Sequence, residues 1–256
     1  MKFNLGVAMK KMSKLHLHLR KRLEQTLLKY HMLSEGDRVL VGVSGGADSL
    51  TLLKLLTGPL LFVPKPELLL AVYVDMGFEG SNGHPALHLE RYFQEEGYQY
   101  QIRKTNFGPL AHSEYNRKAS PCFLCSRLRR KQLFEIAREY RCNKVALAHN
   151  KDDVIETFLL NIFFAREIST MLPYQSFFKG DFYLMRPLAY IEEALLKRFA
   201  LEADLPVVEN PCPSAQNTKR QYIKNLIKKL DTDHRGLKEN IFKAMKHVKP
   251  DYLLKN

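Results

Sequence analysis

Leucines recur at positions 15, 19, 23, 27 and 33 among lysines, arginines and histidines, close to the helical period, and predict an amphipathic helix over 15–33. The turn cluster Ser34-Glu35-Gly36-Asp37 ends it. Residues 38–43 are apolar and β-branched without alternation, as in a strand covered on both faces. From there the pattern alternates. A helix begins near residue 48, and a strand follows over 68–74, a helix over 85–96 and a strand over 98–103. Next come a helix over 126–140, a strand over 144–148 and a helix over 152–164. Apolar strands alternating with helices of this length predict an α/β fold, a parallel sheet with helices on both faces. Such sheets take ligands at the carboxyl ends of their strands, near the point where the strand order reverses.

Later residues are less regular: an apolar stretch at 184–187, a helix over 191–204, a proline-rich knot at 209–213 and a basic helix over 216–230. The expected organisation is a basic N-terminal helix (1–34), a nucleotide- and cluster-binding core (35–215) and a basic helical C-terminal extension (216–256). A chain of 256 residues that is 45% hydrophobic buries a full core. Its longest apolar run, 68–74, is too short to cross a bilayer, and basic residues break up the N-terminus where a secretory signal needs an apolar block. The expectation is a cytoplasmic protein without a membrane partner. A formal net charge of +13 concentrates polyanions at the surface, so nucleic acid leads the partner classes beside the plainer reading of a basic surface.

Three stretches carry chemistry. After the first strand, Ser44-Gly45-Gly46-Ala47-Asp48-Ser49 reads as a tight glycine turn into a helix. The glycines let backbone approach phosphate oxygens, while helix-start amides and the hydroxyls of Ser44 and Ser49 donate to them. It is not a Walker loop, because no lysine follows a second glycine. Asp48 would repel phosphate, so its role is Mg²⁺ coordination or an acid favoured in a first helical turn. After the strand at 144–148, His149-Asn150-Lys151-Asp152-Asp153 opens a helix; its acids serve either as caps or, at the carboxyl end of a parallel strand, as site residues on the side of the sheet where the Ser44 loop also lies. Finally, Cys122 and Cys125 form a C-x-x-C pair after Pro121. A closed zinc site needs four ligands, and only Cys142 and Cys212 remain. Cys142, between a helix end and a strand, reads as a buried thiol, and Cys212 stands between two prolines. Three thiolates suit a 4Fe-4S cluster with one iron open; a dithiol redox pair competes on spacing alone.

Together, Ser44 to Ser49, PCFLCSRLRR at 121–130, AHNKDDVIETFLLN at 148–161, RPLAYIEE at 186–193 and Cys212 with Lys219-Arg220-Gln221 resemble the tRNA 2-thiocytidine synthetase family of PP-loop ATP pyrophosphatases, over roughly residues 20–230. The resemblance implies that Cys122, Cys125 and Cys212 ligate a 4Fe-4S cluster. It also implies that Ser44, Gly45, Gly46, Asp48, Ser49 and His149 hold ATP with Mg²⁺, and that Asp153 and Asp48 are the acidic catalytic residues. The implied reaction is adenylation of an anticodon-loop cytidine followed by sulphur transfer. Its implied partners are tRNA, a sulphur donor (a cysteine desulfurase or free sulphide) and a second copy in a homodimer. Arg127, Arg129, Arg130, Lys219, Arg220, Lys224, Lys228 and Lys229 are expected to meet RNA phosphates. A lysidine synthetase-like ligase and a cluster-bearing redox sensor without thiolation activity are the alternatives.

Overall fold

A computed structural model describes residues 12–78, 85–114, 116, 120–209, 211–214 and 218–254. The first helix, α1 (Lys14–Lys29), starts at Ser13, whose side chain accepts from the His16 amide. Its buried stripe, Leu15, Leu19, Leu23 and Leu27, joins the same apolar core as the central strand. That strand, β1 (Arg38–Val43), is flanked by β2 (Leu68–Asp75) and β4 (Lys144–Leu147), both parallel to it. With β3 (Gln99–Lys104), β5 (Tyr174–Phe177) and β6 (Phe182–Met185) the sheet order is β3-β2-β1-β4-β6-β5. The expected parallel sheet therefore carries one antiparallel edge strand, β5, paired in a hairpin with β6. This short strand was not predicted: Tyr174-Gln175-Ser176-Phe177 is too brief to show a period.

Helices cover both faces. On one, α1, α2 (Ala47–Thr57), α3 (Pro85–Glu95) and α7 (Glu193–Glu202) bury leucines and aromatics against β1 and β2. On the other, α5 (Pro121–Glu139) lays Leu133, Ile136 and Ala137 over Leu40, Val72 and Val145. A third cluster joins α6 (Lys151–Leu160) to the C-terminal helices α8 (Lys219–Asp233) and α9 (Leu237–Ala244) through Val154, Ile155, Ile223, Ile227 and Phe242. A short helix, α4 (Phe107–His112), was not anticipated, and α9 was expected only as part of a helical C-terminal extension, both being too short for a periodic signal. Cys142 is buried in the core under α5, as its sequence context predicts.

Two boundaries bear on function. The helix expected from residue 126 starts at Pro121, with Ser120 as N-cap and proline in the first turn, so the cysteine pair lies on the helix. The helix expected to reach residue 164 ends at Leu160 and passes into one π-turn, Asn161–Ala165, closed by left-handed Arg166. Because β1 pairs with β2 on one side and β4 on the other, the strand order reverses there, and the loops after β1 and β4 face each other. The register sets Gly42 opposite Leu147, and a Cβ on Gly42 would come within 2.8 Å of the Leu147 side chain. Glycine thus lets β4 approach just below the site.

Candidate functional site

The β1–α2 turn is preorganised by its own hydroxyls. The Ser44 amide donates to Ser49 Oγ at 3.1 Å, and Ser49 Oγ donates to the Gly46 carbonyl at 2.9 Å. Gly45 sits at φ +85°, where a side chain is strained, and its missing Cβ leaves room for Val208, whose amide donates to the Gly45 carbonyl at 3.0 Å. Gly46 caps α2 without a side-chain hydrogen bond, so no side chain of the cap competes for the first amides of that helix. A cavity of about 410 Å³ opens here, lined by Ser44, Gly46, Asp48 and Ser49 from this turn and by His149 and Asp153 from the loop after β4. The two loops expected on the same side of the sheet line one cavity.

Asp48 and Asp153 differ in their commitments. Asp48 Oδ2 accepts from the Asn150 side-chain amide at 3.0 Å, while its Oδ1 is buried without a hydrogen-bond partner. Burial, then repulsion from Glu193 and Asp153, pushes its carboxyl up to about 6. A buried carboxylate oxygen left orphaned is what a hard cation would satisfy. Asp153, by contrast, completes a capping box with Asn150 and accepts from Arg220 at 3.0 Å, so both of its oxygens are already engaged. Burial also holds its carboxyl above the usual range.

Cations ring the cavity. Arg186 Nε donates to His149 Nδ1 at 3.3 Å, which leaves Nε2 carrying the proton. Burial first, then Arg186, Arg220, Arg129 and Arg130, drives the imidazole down to about 3, so His149 is neutral at physiological pH. Protein surrounds Arg129, yet its side chain stays accessible through the open cavity, as suits a cation awaiting an anion. Arg220 reaches in from α8 and spans Asp153, Glu156 and Thr157. Of the basic residues expected to meet RNA, Arg129 and Arg220 therefore belong to the cavity wall, and Lys224 is held by Glu193 at 2.8 Å. Lys219 lies over the Phe164 ring.

A second cavity of about 280 Å³ shares Ser44, Gly46 and Arg129 with the first and runs along the end of β2, past Asp75 and Met76, to Val208 and Pro211. The chain neighbours of two cysteines reach these spaces, Ser126 lining the first cavity and Pro211 the second. Cys122 is exposed and Cys125 and Cys212 are partly buried. Burial, and then Cys212 and Cys122, raise the Cys125 thiol, so Cys125 is near enough to both of the others to feel them. Among the described residues no three such side chains close around a single metal ion. A polynuclear cluster is wider than one ion and wants its sulphurs further apart, and an all-thiol donor set with mutual repulsion fits such a group. The contacts that bring Cys212 in run through α4. Cys125 Sγ lies 3.8 Å from the Phe107 carbonyl, and His112 on the same helix bonds Ser214 Oγ at 2.8 Å, two residues past Cys212.

Asn150, Arg186 and His112 were not read as site residues from the sequence. The spacing Asn150 to Asp153 is a recognisable capping box and was open to discovery; His112 and Arg186 act across long sequence separations that no local pattern reveals.

The PP-loop domain family matches residues 15–230. The tRNA-cytidine(32) 2-sulfurtransferase of Erwinia tasmaniensis is 34% identical over 94% of this chain and 78% of its own length. The protein of the same name from Yersinia enterocolitica is 35% identical over 94% and 77%. Among solved structures, the U34-tRNA thiolase of Methanococcus maripaludis with its 4Fe-4S cluster superposes with a TM-score of 0.73 at 24% identity, over 92% of this chain and 80% of that one. The NH3-dependent NAD synthetase of Campylobacter jejuni does so at 0.51 and 17% identity, over 96% and 98%. These two likenesses establish the fold.

Proposed function

Because this chain belongs to the PP-loop family, and within it to that of the tRNA-cytidine(32) 2-sulfurtransferases, we infer that it is an ATP-dependent tRNA sulfurtransferase forming 2-thiocytidine in the anticodon loop. One observation carries this reading: Ser126, the residue after Cys125, lines the same cavity as Ser44, Asp48 and Ser49. The phosphate turn and the cysteine helix serve a common reaction space.

The oxygen on C2 of cytosine is a poor leaving group. Attack of that oxygen on the α-phosphorus of ATP releases pyrophosphate, and displacement by sulphide then breaks the C2–O bond and releases AMP. The amides opening α2 and the hydroxyls of Ser44 and Ser49 bind the departing pyrophosphate, and Arg129 neutralises charge that builds on it. Asp48, one of whose buried oxygens lacks a partner, would hold Mg²⁺, which would offset charge on the departing pyrophosphate. The Asp153 carboxylate accepts from the Asn150 backbone amide while its own backbone amide donates to Asn150 Oδ1, and the Asn150 side-chain amide in turn donates to Asp48, so Asp153 acts through position. Neutral His149, with Nε2–H available, donates a hydrogen bond without delivering a proton. The second cavity accommodates the adenosine, with the end of β2 as its wall. Cys122, Cys125 and Cys212 would hold the 4Fe-4S cluster, which when bound would supply an iron not taken by a cysteine for the sulphur to be transferred.

The substrate partner is tRNA, with a cysteine desulfurase or free sulphide as sulphur source, a homodimer as the assembly and the cytoplasm as the location. Among the described residues no helix is long and apolar enough to cross a membrane.

Nucleoside mass spectrometry of unmodified tRNA incubated with anaerobically reconstituted enzyme, ATP, Mg²⁺ and sulphide tests the reading. Sulphur should replace oxygen in cytidine, Asp48→Asn should stop AMP formation while iron content persists, and Ser at Cys122, Cys125 or Cys212 should remove iron while Cys142→Ser does not. Lysine added to cytidine, or thiolation by all three cysteine variants, would refute it.

A further inference from the structure

Helix α5 has two distinct accessible faces. Ser126 and Arg129 line the phosphate cavity, whereas Phe123, Arg130 and Phe134 line a separate open groove of about 840 Å³, bounded on its far side by the β5–β6 hairpin through Phe178 and Phe182. Ser126 belongs to both walls, so the groove adjoins the reaction cavity.

Two features set this groove apart from ordinary surface. The hairpin turn Phe178-Lys179-Gly180 has three successive positive φ angles, 52°, 59° and 102°. For two residues with side chains that is a costly conformation, and it leaves Phe178 60% exposed. The ring is nevertheless held in place: Phe134 and Phe182 meet it edge-on, with centroids 5.7 Å and 6.0 Å away. At the other end of the groove Phe123, between the two cysteines, is 59% exposed. The second feature is charge. Among the described residues that line the groove, Arg127, Arg130, Lys131 and Arg138 stand with Glu135 and Asp181, four cations against two carboxylates.

Exposed rings beside surplus cations match one chemistry well. An unpaired nucleotide brings a π face for the phenylalanine and a phosphate for the arginine in a single unit. An apolar protein partner would strand the guanidinium groups, and a second copy of this chain would set one positive surplus against another. We propose that this groove is a stacking site for an unpaired base of the RNA substrate, neighbouring the nucleotide delivered to the cavity, with Phe178 as the platform and the α5 arginines on its phosphates. This rests on the tRNA sulfurtransferase reading and specifies how the loop is gripped.

The chain has no tryptophan, so Phe178→Trp creates a lone fluorophore at the platform. Its emission should be quenched saturably by a short anticodon stem-loop RNA and not by a blunt duplex of the same stem. Measured by anisotropy at fixed salt, Phe178→Leu should weaken stem-loop binding roughly ten-fold or more, because leucine keeps the apolar bulk but loses the π face. Phe178→Tyr should bind as the unaltered protein does. Arg138→Glu should lower the slope of log affinity against log salt by about one, whereas Phe178→Leu leaves that slope alone. Unfolding midpoints of all four variants monitor the fold. Wild-type affinity in Phe178→Leu, or equal quenching by duplex, overturns the proposal. So does loss of self-association in Phe178→Leu with RNA affinity intact, which would make the groove an interface between copies. If the unaltered protein thiolates cytidine while Phe178→Leu binds normally, the groove alone is wrong; if it neither binds the stem-loop nor forms 2-thiocytidine, the sulfurtransferase reading fails first.

Discussion

The phosphate turn and the cysteine site lie side by side but are built by different means. The turn between Ser44 and Ser49 is made of backbone, hung from β1, with its geometry set mainly by hydrogen bonds within six residues and by strand register, and by one bond from the Val208 amide. The cysteine site draws on the first turn of α5 and a loop about ninety residues later, joined through α4 by the His112–Ser214 contact and by Cys125 against Phe107. One is rigid because the sheet is rigid. The other is assembled by side-chain contacts, each worth about 1 kcal/mol, and so its geometry depends on a few residues remote from the ligands.

The contrast makes substitutions separable. The largest effect is expected at Gly45: alanine there would adopt a strained φ of +85° and set its Cβ 2.2 Å from Val208 Cγ2. Displacing the turn by even an ångström should cut the rate of AMP formation about 100-fold in a pyrophosphate-release assay. Iron content of the folded Gly45→Ala protein should not change; if it falls in parallel, the two sites are not independent. His112→Ala is the mirror experiment. It removes the tie to Ser214, and alkylation of Cys212 by iodoacetamide in the metal-free protein should accelerate roughly five-fold, as expected for about 1 kcal/mol of lost restraint. ATP cleavage should continue. Unchanged alkylation would mean that the loop is held by other contacts.

The smallest effect concerns pH. Burial raises the Glu156 carboxyl to about 7 despite Arg220 beside it. Its folded-state value lies above its ordinary one, so ionised Glu156 costs stability above about pH 7, and that cost disappears below about 4.5. Glu156→Gln should therefore raise the melting temperature by on the order of 5 °C at pH 8 and leave it unchanged near pH 4. A lowered melting temperature at pH 8 would show that the Arg220 pair outweighs the burial.

The legibility of the two sites differs for the same reason. Alternating strands and helices placed the loops after β1 and β4 at the same end of the sheet, because parallel strands all end there; the strand order then made them neighbours. The cysteine pair was visible as a spacing, yet its place on the first turn of α5 was not, since a C-x-x-C stretch has no helical signature until Ser120 and Pro121 are recognised as a helix start. Arg129 and Arg220 looked like RNA contacts because charge along a chain does not reveal which way a side chain points.

Local sequence thus determined the elements, the glycine turn and the chemical types present: hydroxyls, carboxylates, thiols and an excess of cations. Tertiary structure alone decided the partnerships. It left one oxygen of Asp48 without a partner while engaging both of Asp153, set His149 among four arginines, and raised Phe178 on a strained turn over an open groove. Periodicity and turn chemistry act over a few residues and are written along the chain. Burial, charge pairing and desolvation are properties of neighbours in space, and most of the neighbours that matter here lie more than thirty residues apart.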